Sequence, residues 1–299
     1  MSFRVRRGAR FRLDSLRLAE DVFVTIASAG GGPADRVAAA LVPRDGLERA
    51  LSARSGYAGH LSPSMTFRVI ARVMDESRFK RTQLRGAVER AIAAARPRWR
   101  LADPADLEVW VAEHRHARFV SGLRLSDQRM RQHGTGRASE RHGALRPVVA
   151  AAMVRLAGQP GRLLDPCCGA GTIAAEALAA GWRAWASDIS EEAVSAARAN
   201  APQAVIQQAD ARDLPYPDRE FDAVVTNVPF GRQFRAGPGR HSWLEAVLRE
   251  AARVTLPDGR VVLLAPPPVP NQAAGLAPSG AYPIRLLGVP ARIWLYDRS

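Results

Sequence analysis

Two hydrophobic rhythms run along the chain. In its second half, short apolar runs end on a polar residue and are followed by alanine-rich stretches of helical period. Arg162–Asp165, Arg183–Asp188, Ala204–Gln208 ahead of Asp210, and Phe221–Thr226 ahead of Asn227 read as buried strands. Pro147–Leu156, the stretch from Thr172 to Gly181 and the stretch behind Ser190 read as helices between them. Pro147 suits a first helical turn, where its missing N–H is not needed. Ser190 is a capping residue, and Glu191 and Glu192 favour the positive end of a helix. A helix over 243–254, a strand over Arg260–Ala265 and two β-rich pieces, Ile284–Leu287 and Arg292–Tyr296, close the chain. Strands alternating with helices predict an α/β fold with a mostly parallel, doubly wound sheet.

The first half has a different pattern. Thr66–Val73, Leu107–Glu113 and Arg118–Leu125 alternate as strands. Phe79–Ala95 is an amphipathic helix with Leu84, Val88, Ile92 and Ala95 on its apolar face, stopped by Pro97. Helices are expected around Asp35–Leu41 and Gly46–Ala53, and Ala27–Pro33, with its three glycines at 30–32, is expected to be a flexible turn. Arg129–His142 is basic, polar and glycine-containing and reads as a linker.

Charge separates the halves further. The 299 residues carry a net charge of +14, but residues 1–146 hold 28 Lys+Arg against 15 Asp+Glu, whereas residues 147–299 hold 15 against 14. Lys80 is the sole lysine among 43 basic residues, a bias best assigned to the composition of the source genome. A basic half joined to a near-neutral one is the pattern of a nucleic-acid-binding module attached to something else. A hydrophobic content of 47% fills a core and excludes general disorder. No apolar run reaches the roughly 18–20 residues of a spanning helix, and the basic start, Met1–Arg12, lacks the apolar centre of a secretory signal. A cytoplasmic protein without a membrane partner is expected. Cys167 and Cys168, adjacent and alone, exclude a disulfide framework or a cysteine zinc site. His133 and His142 have no acidic or cysteine partner at metal spacing, so no metal is expected, and His114 and His116 read as a solvated face.

In doubly wound sheets, ligands sit at the carboxyl ends of the strands. Asp165, Asp188, Asp210 and Asn227 are delivered there by four successive strands. The turn after the first reads Leu163-Leu-Asp-Pro-Cys-Cys-Gly-Ala-Gly-Thr172. It resembles the first motif of class I S-adenosylmethionine-dependent methyltransferases, in the form found in RNA guanine-N2 methyltransferases. The resemblance implies a Rossmann-like domain with a seven-stranded sheet and S-adenosyl-L-methionine as cofactor. It implies a cofactor site made of Asp165, Pro166, Cys168, Gly169, Gly171, Thr172, Asp188, Ile189, Asp210 and Ala211. In it Gly169 and Gly171 pass beneath the methionine part, Asp188 accepts the ribose hydroxyls, and Asp210 with the Ala211 backbone holds the adenine amino edge.

Asn227-Val-Pro-Phe230 resembles the Asn/Asp-Pro-Pro-Tyr/Phe motif of methyltransferases that act on amino groups. An exocyclic amine is a poor nucleophile because its lone pair is delocalised into the ring. The Asn227 oxygen and the Val228 carbonyl would accept its two N–H bonds, and Phe230, behind Pro229, would offer a stacking face. Val228 stands where the family has proline, which leaves the loop less rigid. Gly231–His241 is glycine-rich and basic, and Arg232, Arg235 and Arg240 are candidates for phosphate contact.

The strand, helix and two strands of the first half resemble a THUMP domain, an RNA-binding module attached to tRNA-modifying enzymes. Residues 11–26 resemble part of the ferredoxin-like domain that precedes THUMP. The expected organisation is a reduced ferredoxin-like region at 1–59, a THUMP-like α+β domain at 60–126, a basic linker at 127–143 and the methyltransferase domain at 144–299. The resemblance implies methyl transfer to guanine N2, in tRNA foremost, with RNA docked on the basic half. Ribosomal RNA as substrate and a catalytically silent RNA-binding protein remain alternatives. The guanine-type first motif speaks against DNA adenine, and the basic half against protein glutamine. Oligomeric state is left open.

Overall fold

The computed structural model describes residues 13–58, 62–74, 79–127, 130, 144–229, 240–269, 275–286 and 289–299. The chain forms two compact units, one built on Ala19–Met130, the other on Asp14–Leu18 and Arg131–Ser299.

The first unit runs β1 (Phe23–Gly30), α1 (Ala34–Leu41), α2 (Arg44–Ala58), β2 (Thr66–Arg72), α3 (Arg81–Ala95), β3 (Arg100–Leu101), β4 (Leu107–Arg115) and β5 (Arg118–Arg124). Its sheet has the order β1-β5-β4-β2-β3, with β2 parallel to both β3 and β4 and the other pairs antiparallel. One face is packed with Phe67, Val69, Leu107, Val109, Val111, Phe119 and Leu123 against Val37, Leu41, Leu47, Leu84, Val88 and Ile92 of the helices. The strict alternation of β4, buried and half-buried in turn from Leu107 to Glu113, is the signature of a sheet covered on one side.

Two expectations need correction. Ala27–Gly30 is strand rather than turn: these residues pair with Ser121, Val120, Phe119 and Arg118, which leaves residues 31–33 for the bend. There is also no boundary between compact units at 59/60. Because β1 pairs with β5, residues on both sides of that point share one sheet and one core.

The second unit contains α4 (Pro147–Leu156), β6 (Arg162–Asp165), α5 (Thr172–Ala179), β7 (Arg183–Asp188), α6 (Glu191–Asn200), β8 (Val205–Gln208), β9 (Phe221–Asn227), α7 (Arg240–Val254), β10 (Thr255–Ala265), β11 (Leu276–Leu286) and β12 (Val289–Arg298). The seven strands lie in the order β11-β12-β10-β9-β6-β7-β8. β12 is antiparallel to both neighbours and the rest pair parallel. Both faces are buried, and alternate residues serve opposite cores. Leu163, Val225, Val262 and Leu264 face α4, α5 and α6, while Leu164, Val224, Val261 and Leu263 face α7. This is why these strands read as continuous apolar runs.

β10 starts at Thr255, ahead of the expected Arg260, because Thr255 pairs with Phe221 and an irregularity absorbs the intervening Pro-Asp-Gly. The closing strands are longer than the expected pieces. Asp14–Leu18 joins this unit by an ion pair: Arg17 Nε and Nη2 each lie 2.8 Å from a carboxylate oxygen of Glu176, on α5, whose side chain is 3% exposed. Among the described residues, no helix is long and apolar enough to cross a membrane.

Candidate functional site

The strand order reverses on either side of β6: the chain builds outward to β7 and β8, then returns to β9 on the other flank. Such a switch point opens a crevice at the carboxyl ends of the strands. A cleft of about 450 Å³ lies there, lined by Asp165, Asp188, Asp210 and Asn227. All four strand-end residues singled out in the sequence therefore meet in one cavity.

Asp165, the last residue of β6, is 1% exposed. Its Oδ1 accepts the Cys167 N–H at 3.3 Å, and its Oδ2 is buried with no hydrogen-bond partner. Burial, with the negative charge of Asp188 adding to it, pushes its pKa up to about 7. The Thr226 side chain on β9 lies beside this carboxyl and offsets part of the rise.

Asp188, at the end of β7, holds the turn together. Its Oδ2 accepts the Gly169 N–H at 2.9 Å and its Oδ1 the Ser190 N–H at 3.0 Å. Each carboxylate oxygen keeps a second acceptor position. Ser190 caps α6 as its sequence promised, accepting the Ala193 N–H at 3.3 Å. Asp210 lies beyond β8, with both oxygens engaged by Arg212, whose Nη2 is 2.6 Å from Oδ2. That guanidinium holds the Asp210 carboxyl below its ordinary range. Any ligand donor at this position has to share Asp210 with Arg212.

The two glycines of the turn have different tasks. Gly169 has φ +53° and lines the cleft, and a Cβ there meets nothing within 4 Å, so the space above it is open to a ligand. Gly171 has φ +76°, and a Cβ there comes within 2.9 Å of the Ala197 backbone. Gly171 is therefore required for α5 to pack on α6, and it does not line the cleft.

Pro166, Cys168, Thr172, Ile189, Ala211 and Pro229 also line the cavity. Burial raises the thiol pKa of both Cys167 and Cys168, so neither is a ready nucleophile. Asn227 ends β9 with its Oδ1 buried and without a hydrogen-bond partner. Val228 turns inward, 2% exposed, and packs with Leu244, Val247 and Leu248 of α7, so the side chain that replaces the family's proline fastens the loop from below. Phe230 and the Arg232–Arg235 segment lie outside the described residues, as does the linker over 131–143; so does the Arg240 side chain.

Sequence reasoning missed Arg212 and Trp243 of the lining. It also missed the brace behind Asp210. Glu250 accepts the Leu214 N–H at 2.8 Å, and Arg253 donates to the carbonyls of Leu214 (2.9 Å) and Tyr216 (2.8 Å) and to Glu250. Mutual pairing lowers the Glu250 pKa and raises that of Arg253. A charged pair three residues apart on a helix reads as ordinary solvated surface, so the brace leaves no signal in the sequence.

Comparison with known proteins agrees with this geometry. Residues 135–269 match the family described as "UPF0020: RMKL-like, methyltransferase domain". A tRNA (guanine(6)-N2)-methyltransferase of Thermus thermophilus is 38% identical over 132 residues, 41% of this chain and 39% of that protein. A U6 snRNA (guanine-N(2))-methyltransferase, THUMPD2 of Bos taurus, is 32% identical over 142 residues, 43% of this chain and 27% of that protein. The chain thus matches less than half the length of either relative. The crystal structure of TrmN from Thermus thermophilus superimposes with a TM-score of 0.75 at 28% identity, covering 99% of this chain and 88% of that one. Residues 135–269 are thus similar to an RMKL-like methyltransferase domain, and the α/β fold of the chain is that of the TrmN structure.

Proposed function

We propose that this chain is an S-adenosylmethionine-dependent RNA methyltransferase that modifies the N2 amine of a guanine, in tRNA. The observation that carries the reading is the Asn227 Oδ1, a buried acceptor without a partner at the rim of the cavity that holds Asp165 and Asp188. The residues of that cavity fit the cofactor. The second acceptor positions of Asp188 are open to donors, and the open backbone at Gly169 allows close approach. When bound, the cofactor supplies an electrophilic methyl group on a sulfonium cation.

The chain's own residues position the nucleophile. Asn227 and the Val228 carbonyl accept the two N–H bonds of guanine N2. This turns the lone pair out of the ring and toward the methyl carbon. An amide accepts a hydrogen bond but not a proton at neutral pH, so Asn227 orients rather than deprotonates, and the surplus proton of the methylated amine leaves to solvent. Most of the rate then comes from placement. Asp165 takes part through its charge: ionised, it attracts a cationic ligand, so cofactor affinity rises as pH passes through about 7.

The first unit is the RNA-docking module. It is the THUMP-like part, and it spans β1–β5 rather than 60–126 alone. The excess of basic residues in this half grips phosphates without reading sequence. The two curated relatives are named for different RNAs but for the same guanine atom, which supports the N2 assignment more firmly than the choice of tRNA. The cytoplasm is the fitting compartment.

The test is direct. Purified full-length protein is incubated with methyl-labelled cofactor and either tRNA or ribosomal RNA, and the nucleosides are separated by mass spectrometry. Labelled N2-methylguanosine from tRNA is the expected product. Label in rRNA alone overturns the substrate, and label in another nucleoside overturns the chemistry.

A further inference from the structure

The sheet of the first unit has a second face, and none of its apolar residues belongs to the core beneath the helices. Register places Trp110 of β4 beside Ile70 of β2 and Gly122 of β5, while Gly122 in turn pairs with Thr25 and Phe23 with Arg124. Phe23, Trp110, Ile70, Arg68, Arg72 and Arg124 therefore share this face. A solvated sheet face normally carries small polar residues; this one carries a large aromatic pair and three guanidinium groups.

The pair is built to hold its shape. Gly122 supplies the floor: a Cβ there comes within 3.0 Å of the Phe23 Cβ, so a larger residue would lift that ring. Phe23 and Trp110 sit 5.3 Å apart at 54°. The Trp110 indole N–H donates to Glu108 at 3.1 Å, and Glu108 is itself held by Arg68 and by Arg124 at 2.9 Å. Arg124 is anchored in turn by Asp21 at 2.9 Å. With its polar edge satisfied and its position fixed on both sides, the indole ring is rigid.

Arg72 lies over that ring, its guanidinium carbon 4.6 Å from the centroid. It is exposed and has no carboxylate partner among the described residues, unlike Arg68 and Arg124 on the same face. A guanidinium held over an indole offers two things: a planar cation and a fan of N–H donors. That combination fits an unpaired nucleotide, whose base stacks on the plane while its phosphate meets the donors. It suits a regular duplex less well, since the bases there are already stacked.

We infer that the Arg72–Trp110 stack is a docking platform for an unpaired nucleotide of the RNA. The inference rests on the RNA-docking role proposed for this unit and adds to it a place and a preference. Duplex contact by phosphate grip remains the work of the dispersed arginines; the platform reads strandedness. A substrate with a single-stranded segment beside a duplex is favoured over an uninterrupted helix.

Anisotropy titration of the full chain with a fluorescein-labelled single-stranded oligoribonucleotide, and with a duplex of equal length, tests this. Arg72→Ala is expected to weaken single-strand binding about tenfold, the loss of one stacked base, with duplex binding nearly unchanged. Arg72→Lys keeps the charge and loses the plane, so it too is expected to lose most of that factor. Arg90→Ala, which removes an exposed arginine on α3, is expected to leave the ratio of single-strand to duplex affinity unchanged. Wild-type affinity of Arg72→Ala for the single strand overturns the platform, and full rescue by lysine reduces it to a point charge and overturns the stack. A wild-type chain that binds neither RNA overturns the docking role itself, a result distinct from both.

Discussion

The two sheets of this protein solve burial differently, and the difference decides where chemistry can sit. In the second unit helices cover both faces of the central strands, so β6, β7 and β9 run through buried apolar residues to a polar residue at the carboxyl rim. Asp165, Asp188, Asp210 and Asn227 converge there because the strands leave them no other place. In the first unit the helices cover one face only, and alternation leaves Glu108, Trp110 and the arginines on the other. A doubly covered sheet thus makes a point-like site, while a singly covered sheet makes a broad one. A reaction centre needs the former, and the gripping of a polyanion suits the latter.

The sharpest way to break this contrast is at the rim. Asn227→Ala removes the buried acceptor proposed to meet the nucleophile in the reacting geometry. Methyl transfer is expected to fall at least about a hundredfold, with cofactor affinity by calorimetry nearly unchanged. A variant that turns over at near wild-type rate would show that the strand-end amide is not the centre of the chemistry.

Next in size is the contact that ties Asp14–Leu18 to the second unit. Arg17→Ala leaves the buried Glu176 carboxylate without the guanidinium that now meets both of its oxygens. Chemical denaturation is expected to show a loss of about 2–3 kcal/mol, since removing one partner of a buried pair costs far more than removing a surface pair. An unchanged midpoint would place this segment outside the unit's stability.

The smallest effect sharpens the account of Asp165. An acid whose pKa rises on folding binds a proton as the chain folds, so its contribution is complete below about pH 4 and is lost as pH rises through about 7. Asp165→Asn mimics the protonated form. Without cofactor it is expected to match the wild type near pH 4 and to exceed its stability at pH 8, the difference opening above about pH 4 and complete past about 7. Parallel stability curves for the two proteins across that range would remove the proposed burial cost.

The second unit was far more legible in the sequence than the first. Its rim residues follow apolar runs directly, so period and position together announce them, and the Ser190 cap and the strand-end acids fell where they were expected. What stayed hidden there depends on distance in space. Arg212 answering Asp210, Arg253 bracing the loop and Trp243 reaching the cleft carry no local pattern. Gly171 was assigned to the ligand although packing on Ala197 is what requires it. In the first unit, β1 was taken for a turn over Ala27–Gly30 because its glycine and small residues obey no strong period, and only pairing with β5 makes it a strand. The same long-range pairing dissolved the boundary expected at 59/60.

The Arg17–Glu176 pair also bears on how such proteins can be taken apart. The second unit is closed in space but open in sequence: one of its charges is donated from more than a hundred residues upstream, across the whole first unit. A cut between the units releases a fragment that lacks this guanidinium on α5, and a transplanted first unit has to bring its own. Exchange of the two modules, by an engineer or by recombination, is therefore gated by five residues that belong by position to one half and by contact to the other.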